Sequence, residues 1–441
     1  MADSGRVVAL VTVKGGYVFA VTPGDENHDT WEEATYVAVS TPPLAATGVV
    51  RSALNGGKLF FADGTNEVYW QASDNTVRRW TATRGTLPGH GANKPRLIET
   101  WRGRTVVSGI LSDGQNWFMS KVSDPFDWDY NPGSPSPDQA IAGNNSPLGL
   151  IGDMVTCLIP FSDDVLIMGG DHTVWLFNGD PMAGGQIDLV TDAVGMAWGK
   201  PWCKDPQGVV YFFANRPAVY SLVPGQQPQR ISQPVESLLQ SVDTEGSTIR
   251  LVWNDRLQGL HVFISTTDGA AAATHYFWEQ RTGAWWQDTF ASNNFNPLAC
   301  CVFDGSAAAD RVALLGSWDG YVRSVSPTAT TDDGSNISSS VWIGPLLTAD
   351  MDDLLLKDLQ AILGTASGDV TYSVHVGNSA QAAYAASASV TGTWGAGRNL
   401  DSLVRRSGHA VYVKITSTNA WALEQIRARI AGKGKVRRRG I

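Results

Sequence analysis

Short apolar runs broken by Gly, Asp or Asn recur along the first three quarters of the chain. Each unit reads as a strand, a tight turn, a second strand, and a third strand that often ends in aromatics. The stretch GKLFFADGTNEVYWQASDNTVRRWTA, 57–82, predicts strands at 58–62, 66–71 and 77–82. Its first turn holds Asp63 and Gly64, a pair that marks a hairpin. The next unit, 95–128, predicts strands near 95–100, 104–110 and 116–121, separated by Arg-Gly and Asp-Gly turns. Further units run over 154–181, 207–225, 248–287 and 298–327, and 7–24 reads as a partial unit. In 154–181 the second strand is short and nearly all apolar, the pattern of a strand covered on both faces. A lone sheet cannot bury both of its faces, and a period of about 40–60 residues points to sheets stacked around an axis. The expected fold is all-β, with a six- or seven-bladed β-propeller over 1–330; a pair of long β-sandwiches is the competing architecture. QPVESLLQSVD, 233–243, breaks the period: Val235, Leu238, Leu239 and Val242 share a helical face and Pro234 suits a helix start, so one short helix is expected.

After the polar run TATTDDGSNISSS, 328–340, the pattern changes, and 331–350 reads as a linker. Leu354, Leu355, Leu356, Leu359 and Ile362 fit either a helix or a strand pair. Alternation is clear at 369–377, with Val370, Tyr372, Val374 and Val376 on one face, and at 409–417, with Val411, Val413 and Ile415. Residues 422–430 fit another strand or a short helix. A C-terminal antiparallel β-sandwich domain is expected over 351–432, followed by a basic tail, 433–441.

Composition supports this division. A chain of 441 residues exceeds what one core usually supports. Charged residues make up only 17%, against 46 Gly and 21 Pro, which suits many tight turns better than charged surface helices. A net charge of -9 excludes the ordinary class of basic nucleic-acid binders. The exception is the tail, Lys433, Lys435, Arg437, Arg438 and Arg439, which reads either as a solvated end or as a contact for phosphates or an acidic partner. MADSGRVVALVTV lacks the pattern of a secretory signal, and no stretch approaches a transmembrane helix, so no membrane anchor is expected. Cys157, Cys203, Cys300 and Cys301 form no CxxC pair and are expected as free thiols in a reducing cytoplasm.

Catalytic chemistry is hard to place. None of the histidines, His28, His90, His172, His261, His275, His375 and His409, forms an HExxH pair, and no metal or cofactor is expected. Asp63, Asp113, Asp163, Asp164, Asp171 and Asp319 fall at turns, where Asp is favoured for local hydrogen bonds alone. No GxSxG elbow, Walker A loop or dinucleotide fingerprint occurs in a fitting context, so no enzyme is expected. Seventeen Trp stand out. Trp101, Trp117, Phe118, Trp128, Trp285 and Trp286, with Arg437, Arg438 and Arg439, are candidate subunit or partner contacts, the aromatics having blade core as their other reading.

ETWRGRTVVSG, 99–109, followed by NWFMSKVSDPFDWDY, 116–130, carries an SxxxDPxDW pattern. Together with 149–191 and the block GTWGAGRNLDSLVRRSGHAVYVKITSTNAWALEQIRARI, 392–430, it resembles the tail nozzle or tail hub proteins of short-tailed bacteriophages. The resemblance covers most of the chain and implies a structural virion protein. Such a protein would form a ring, expected as a homohexamer, around the DNA ejection channel below the portal and adaptor. Implied partners are tail adaptor proteins, tail fibre or needle proteins, and double-stranded DNA in transient, non-specific passage. The implied place is the virion tail, after folding in the bacterial cytoplasm. A glycan-binding propeller or a glycoside hydrolase is the alternative.

Overall fold

The computed structural model describes residues 10–21, 31–45, 49–267, 271–303, 311–326, 328–348 and 352–433. The chain divides into two compact units, Met1–Pro327 and Thr328–Ile441. Both are built mainly from antiparallel sheets, and the fold is all-β. No helix among the described residues is long and apolar enough to cross a membrane.

Among its described residues the first unit contains seven successive main sheets. Sheet 1 has strands Val11–Lys14, Tyr17–Val21 and Trp31–Glu33. Sheet 2 runs Arg51–Asn55, Lys58–Ala62, Glu67–Gln71 and Thr76–Arg79, with Thr35–Val37 added in parallel at its outer edge. Sheet 3 is Leu97–Trp101, Arg104–Ile110, Asp113–Met119 and Ile141–Ala142. Sheet 4 is Val155–Ser162, Val165–Gly170, Val174–Asn178 and Gln186–Thr191. Sheet 5 is Trp202–Lys204, Val210–Phe213, Val219–Leu222 and Gln229–Arg230. Sheet 6 is Ser247–Asn254, Gly259–Thr266, His275–Glu279 and Trp285–Asp288. Sheet 7 is Pro297–Phe303, Val312–Ser317 and Val322–Ser324.

Local chemistry sets the turns. Asp63 accepts hydrogen bonds from the backbone N–H groups of Thr65 and Asn66 at 2.8 and 2.6 Å, while Gly64 takes φ +83°, so the chain reverses where expected. The Asp113–Gly114 pair behaves differently. The reversal falls just before it, and Asp113 already pairs with Ile110, because its carboxylate is held by Asn116 of the same strand at 2.8 Å. The helix expected at 233–243 shrinks to a 3-10 turn, Gln233–Val235, and one helical turn, Glu236–Leu239. Val235 and Leu239 are buried, but Leu238 points to solvent; the chain then turns again, with Asp243 accepting from Glu245 and Gly246.

Strand alternation sends the two faces of each sheet to different neighbours. In sheet 3, Ile98, Val107 and Phe118 pack with Phe60 and Tyr69 of sheet 2. Leu97, Val106 and Met119 pack instead with Leu158, Met168 and Phe177 of sheet 4. Separate cores of the same kind lie between sheets 1 and 2, 4 and 5, 5 and 6, and 6 and 7. Sheet 7 meets sheet 1 where Lys14 Nζ donates to the Asp319 carbonyl at 2.9 Å.

The SxxxDPxDW segment is a clip between sheets 2 and 3. The Pro125 carbonyl accepts from the indole N–H of both Trp80 and Trp128, each at 2.9 Å. Asp127–Trp128 pairs in parallel with Arg84–Gly85. Gly85 has φ +68°, and a Cβ there would lie 2.1 Å from the Trp128 carbonyl oxygen.

In the second unit, Ser339–Leu346, Ala410–Ser417, Val370–Gly377 and Val390–Trp394 form one sheet; Gly397–Gly408, Asp353–Leu363 and Leu423–Lys433 form another. Leu356, Leu359, Val374, Trp394, Val413 and Ile415 belong to one core shared by both sheets. The segment 331–350, read from its polarity as a linker, includes a short hairpin, Thr331–Asp332 with Ser335–Asn336, and the edge strand Ser339–Leu346. Residues 353–363, which fitted a helix or a strand pair, form a single strand. A bulge between Leu356 and Asp358 shifts the buried positions from Leu354 and Leu356 to Leu359, Ala361 and Leu363, and this parity change imitates helical spacing. A helix at Ala380–Ala385, capped by the Ser379 hydroxyl, was not expected.

Candidate functional site

The first strand of every main sheet in the first unit reaches one cavity of about 490 Å³. Val11, Arg51, Glu99, Leu158, Trp202, Arg250 and Cys300 represent sheets 1 to 7 in its wall. A second cavity of about 720 Å³ shares Thr12, Ser52, Arg250 and Ala299 with it, so Arg250 stands where the two spaces meet.

Five charged side chains, Arg51, Glu99, Lys200, Lys204 and Arg250, line the first cavity among mostly apolar neighbours. Glu99 and Lys200 pair at 3.3 Å. Burial pushes the Glu99 carboxyl above the usual range, against the pull of Lys200 and Arg51. Arg51 donates through Nη1 to the Arg96 carbonyl at 3.1 Å. Gly199 makes room for its guanidinium, since a Cβ there would collide with Nη2. Burial, and then the like charge of Arg250, bring the Arg51 pKa down to about 9. Arg250 is 7% exposed, donates to the carbonyls of Leu298 and Ile249, and is also held below the usual arginine range by burial.

The four cysteines are free. Burial drives the Cys157 and Cys203 thiols well up and the Cys300 thiol to about 12, so these sulfurs stay protonated and unreactive at neutral pH. Among the described residues no group of three or more His, Cys, Asp and Glu is placed to hold a metal ion.

The aromatic contact candidates divide sharply. Trp101, Trp117, Phe118 and Trp128 are buried inside the first unit and present no surface for a partner. Trp101 donates to the Ser162 carbonyl of sheet 4, Trp117 packs edge-on to Phe177, and Phe118 and Trp128 lie in the core between sheets 2 and 3. They are core because apolar strands here are covered on both faces. Trp285 is half-buried and donates to the Ile231 carbonyl, whereas Trp286 is 52% exposed. Arg437, Arg438 and Arg439 lie outside the described residues. The charged cluster of the cavity was missed. Its signal was a charge at an inward position of an apolar first strand, Glu99 in LIETW and Arg250 in TIRLVWN.

No family model and no curated protein matches the chain. Among solved structures it is similar to YCF48 bound to D1 peptide, at 10% identity and a TM-score of 0.42, covering 72% of this chain and 89% of that one. The N-terminal domain of Nup159 aligns at 7% identity and a TM-score of 0.39, covering 71% and 84%. Kluyveromyces lactis Hsv2 aligns at 10% identity and a TM-score of 0.33, covering 66% and 86%.

Proposed function

We propose that this chain is a structural protein of a short-tailed bacteriophage tail, of the nozzle or hub kind, forming a ring around the DNA ejection channel. In this reading the first unit is a seven-bladed β-propeller and the second an antiparallel β-sandwich. The propeller reading is supported by a core between each consecutive pair of sheets, the return of sheet 7 to sheet 1, and a shared axial cavity. The observation that carries the tail assignment is the SxxxDPxDW segment. The residues that resemble tail proteins are those that clip sheets 2 and 3 together, so the likeness falls on fold-setting positions.

Charge is compatible with a conduit. The first unit has 33 Asp and Glu against 21 Lys and Arg, and the second has 9 against 12. An acidic wall avoids the phosphate neutralisation that would trap passing DNA. Of the six aromatic candidates, exposed Trp286 on the last strand of sheet 6 is the one best placed for a neighbouring subunit. The glycosidase alternative needs paired acids, and Glu99 is the single carboxylate among the described residues lining the axial cavities.

Electron microscopy of purified phage particles, with the subunit located by antibody labelling, tests the assignment. A ring of six copies below the portal is the expected result. Particles that lack the chain, or a protein that stays monomeric with its tail partners, would overturn it.

A further inference from the structure

The axial cavity holds more cationic groups than the protein neutralises. Its one carboxylate, Glu99, is engaged by Lys200. Arg51 and Arg250 have no carboxylate within ion-pair distance among the described residues, and their bonds go to neutral backbone carbonyls. Both lie in walls of low polarity, where an unpaired charge is costly. The unsatisfied atoms point the same way. Arg51 Nε and the indole N–H groups of Trp202 and Trp253, all from cavity-lining residues, are buried without an acceptor. A free guanidinium donor and two cations without a paired carboxylate call for a ligand rich in acceptor oxygens and negative charge.

We propose that this cavity is a binding site for a phosphate-class oxyanion, held between Arg51 and Arg250. Planar guanidinium forks match the paired oxygens of a phosphate, and a cavity of about 490 Å³ leaves room for a small monoester as well as the free ion. The mutual repulsion that helps lower the Arg51 pKa would be relieved by an anion between the two groups. Arg51 belongs to sheet 2 and Arg250 to sheet 6, which do not share a core, so the ligand ties together parts of the unit that packing leaves separate. The site is independent of the tail assignment and stands or falls on its own test.

Inorganic phosphate is titrated calorimetrically into the full chain at pH 7, against sodium chloride at matched ionic strength, and thermal unfolding is followed over the same series. A saturable one-site heat is expected, with a Tm that climbs with phosphate and not with chloride. Glycerol phosphate, as the monoester arm, is expected to compete for the same site. Arg51→Gln and Arg250→Gln are each expected to weaken phosphate at least about tenfold, the share of one charge-assisted partner. Lys357→Gln, exposed on the second unit, is expected to leave binding unchanged. Lack of a saturable phosphate heat in the wild-type protein overturns the proposal, as does undiminished binding by both glutamine variants. Should those variants fail to fold, Arg51→Lys decides: it keeps the charge and loses the fork, and undiminished affinity there overturns the proposal as well.

Discussion

His275 commits both ring nitrogens inside sheet 6. Nδ1 accepts from the Ile264 backbone N–H at 3.1 Å, which leaves Nε2 to donate to Asn296 Oδ1 at 3.1 Å. The neutral ring is thereby required, and burial lowers its pKa to about 4. His261, stacked on Phe263 in the same sheet, is lowered to about 4 by burial as well. In the unfolded chain both would titrate near their ordinary value, so between about pH 6.5 and 4 the unfolded state binds more protons. Stability from these rings is complete above that window and is lost as pH falls through it. Asp288 works in the opposite direction: burial raises it to about 6, and its protonation below that pH offsets part of the loss. Urea unfolding is expected to show the first unit weakened on going from pH 7 to pH 5, by about 1–2 kcal/mol for each histidine before the Asp288 offset. His261→Phe should flatten that slope; an unchanged slope would contradict this account.

At the scale of elements, two irregular segments are held in place by specific polar contacts. Arg104 is fully buried and donates to the carbonyls of Ser120, Pro137 and Gln139, fastening the loop before Ile141–Ala142 to sheet 3. Arg104→Met fills the volume but strands three acceptors, and a loss of about 2–3 kcal/mol is expected. Limited proteolysis should then cut within 130–139 faster than in the wild-type chain. The Arg84–Gly85 pairing depends on the missing side chain. Gly85→Ala combines an unfavourable φ with a clash against backbone, and a loss of at least about 2 kcal/mol in chemical denaturation is expected. Turns such as Asp63–Gly64 were legible because their chemistry is local. The clip was visible as a motif, but its role was not, because Trp80 and Trp128 meet Pro125 only after two sheets have packed.

At the scale of the molecule, each unit has its own buried cores. Calorimetry of the full chain is expected to resolve two transitions, and residues 328–441 expressed alone should give a β-rich circular dichroism spectrum with cooperative melting. A single transition in the chain and an unfolded fragment would show that the second unit depends on the first. The polar run at 328–340 does not form an idle linker. Its later residues begin an edge strand, since Ser339–Leu346 has the long antiparallel partner Ala410–Ser417.

The sequence by itself determined the all-β character, the succession of strand units and most hairpins, because alternation and turn chemistry act over a few neighbouring residues. Tertiary structure decided which apolar face meets which neighbour. It turned Trp101, Trp117, Phe118 and Trp128 from surface candidates into core, and it brought Arg51, Glu99, Lys200 and Arg250 to one cavity. The reason is separation along the chain. These charges lie on the first strands of sheets 2, 3 and 6 and on the approach to sheet 5, and no local pattern records that those segments line one cavity.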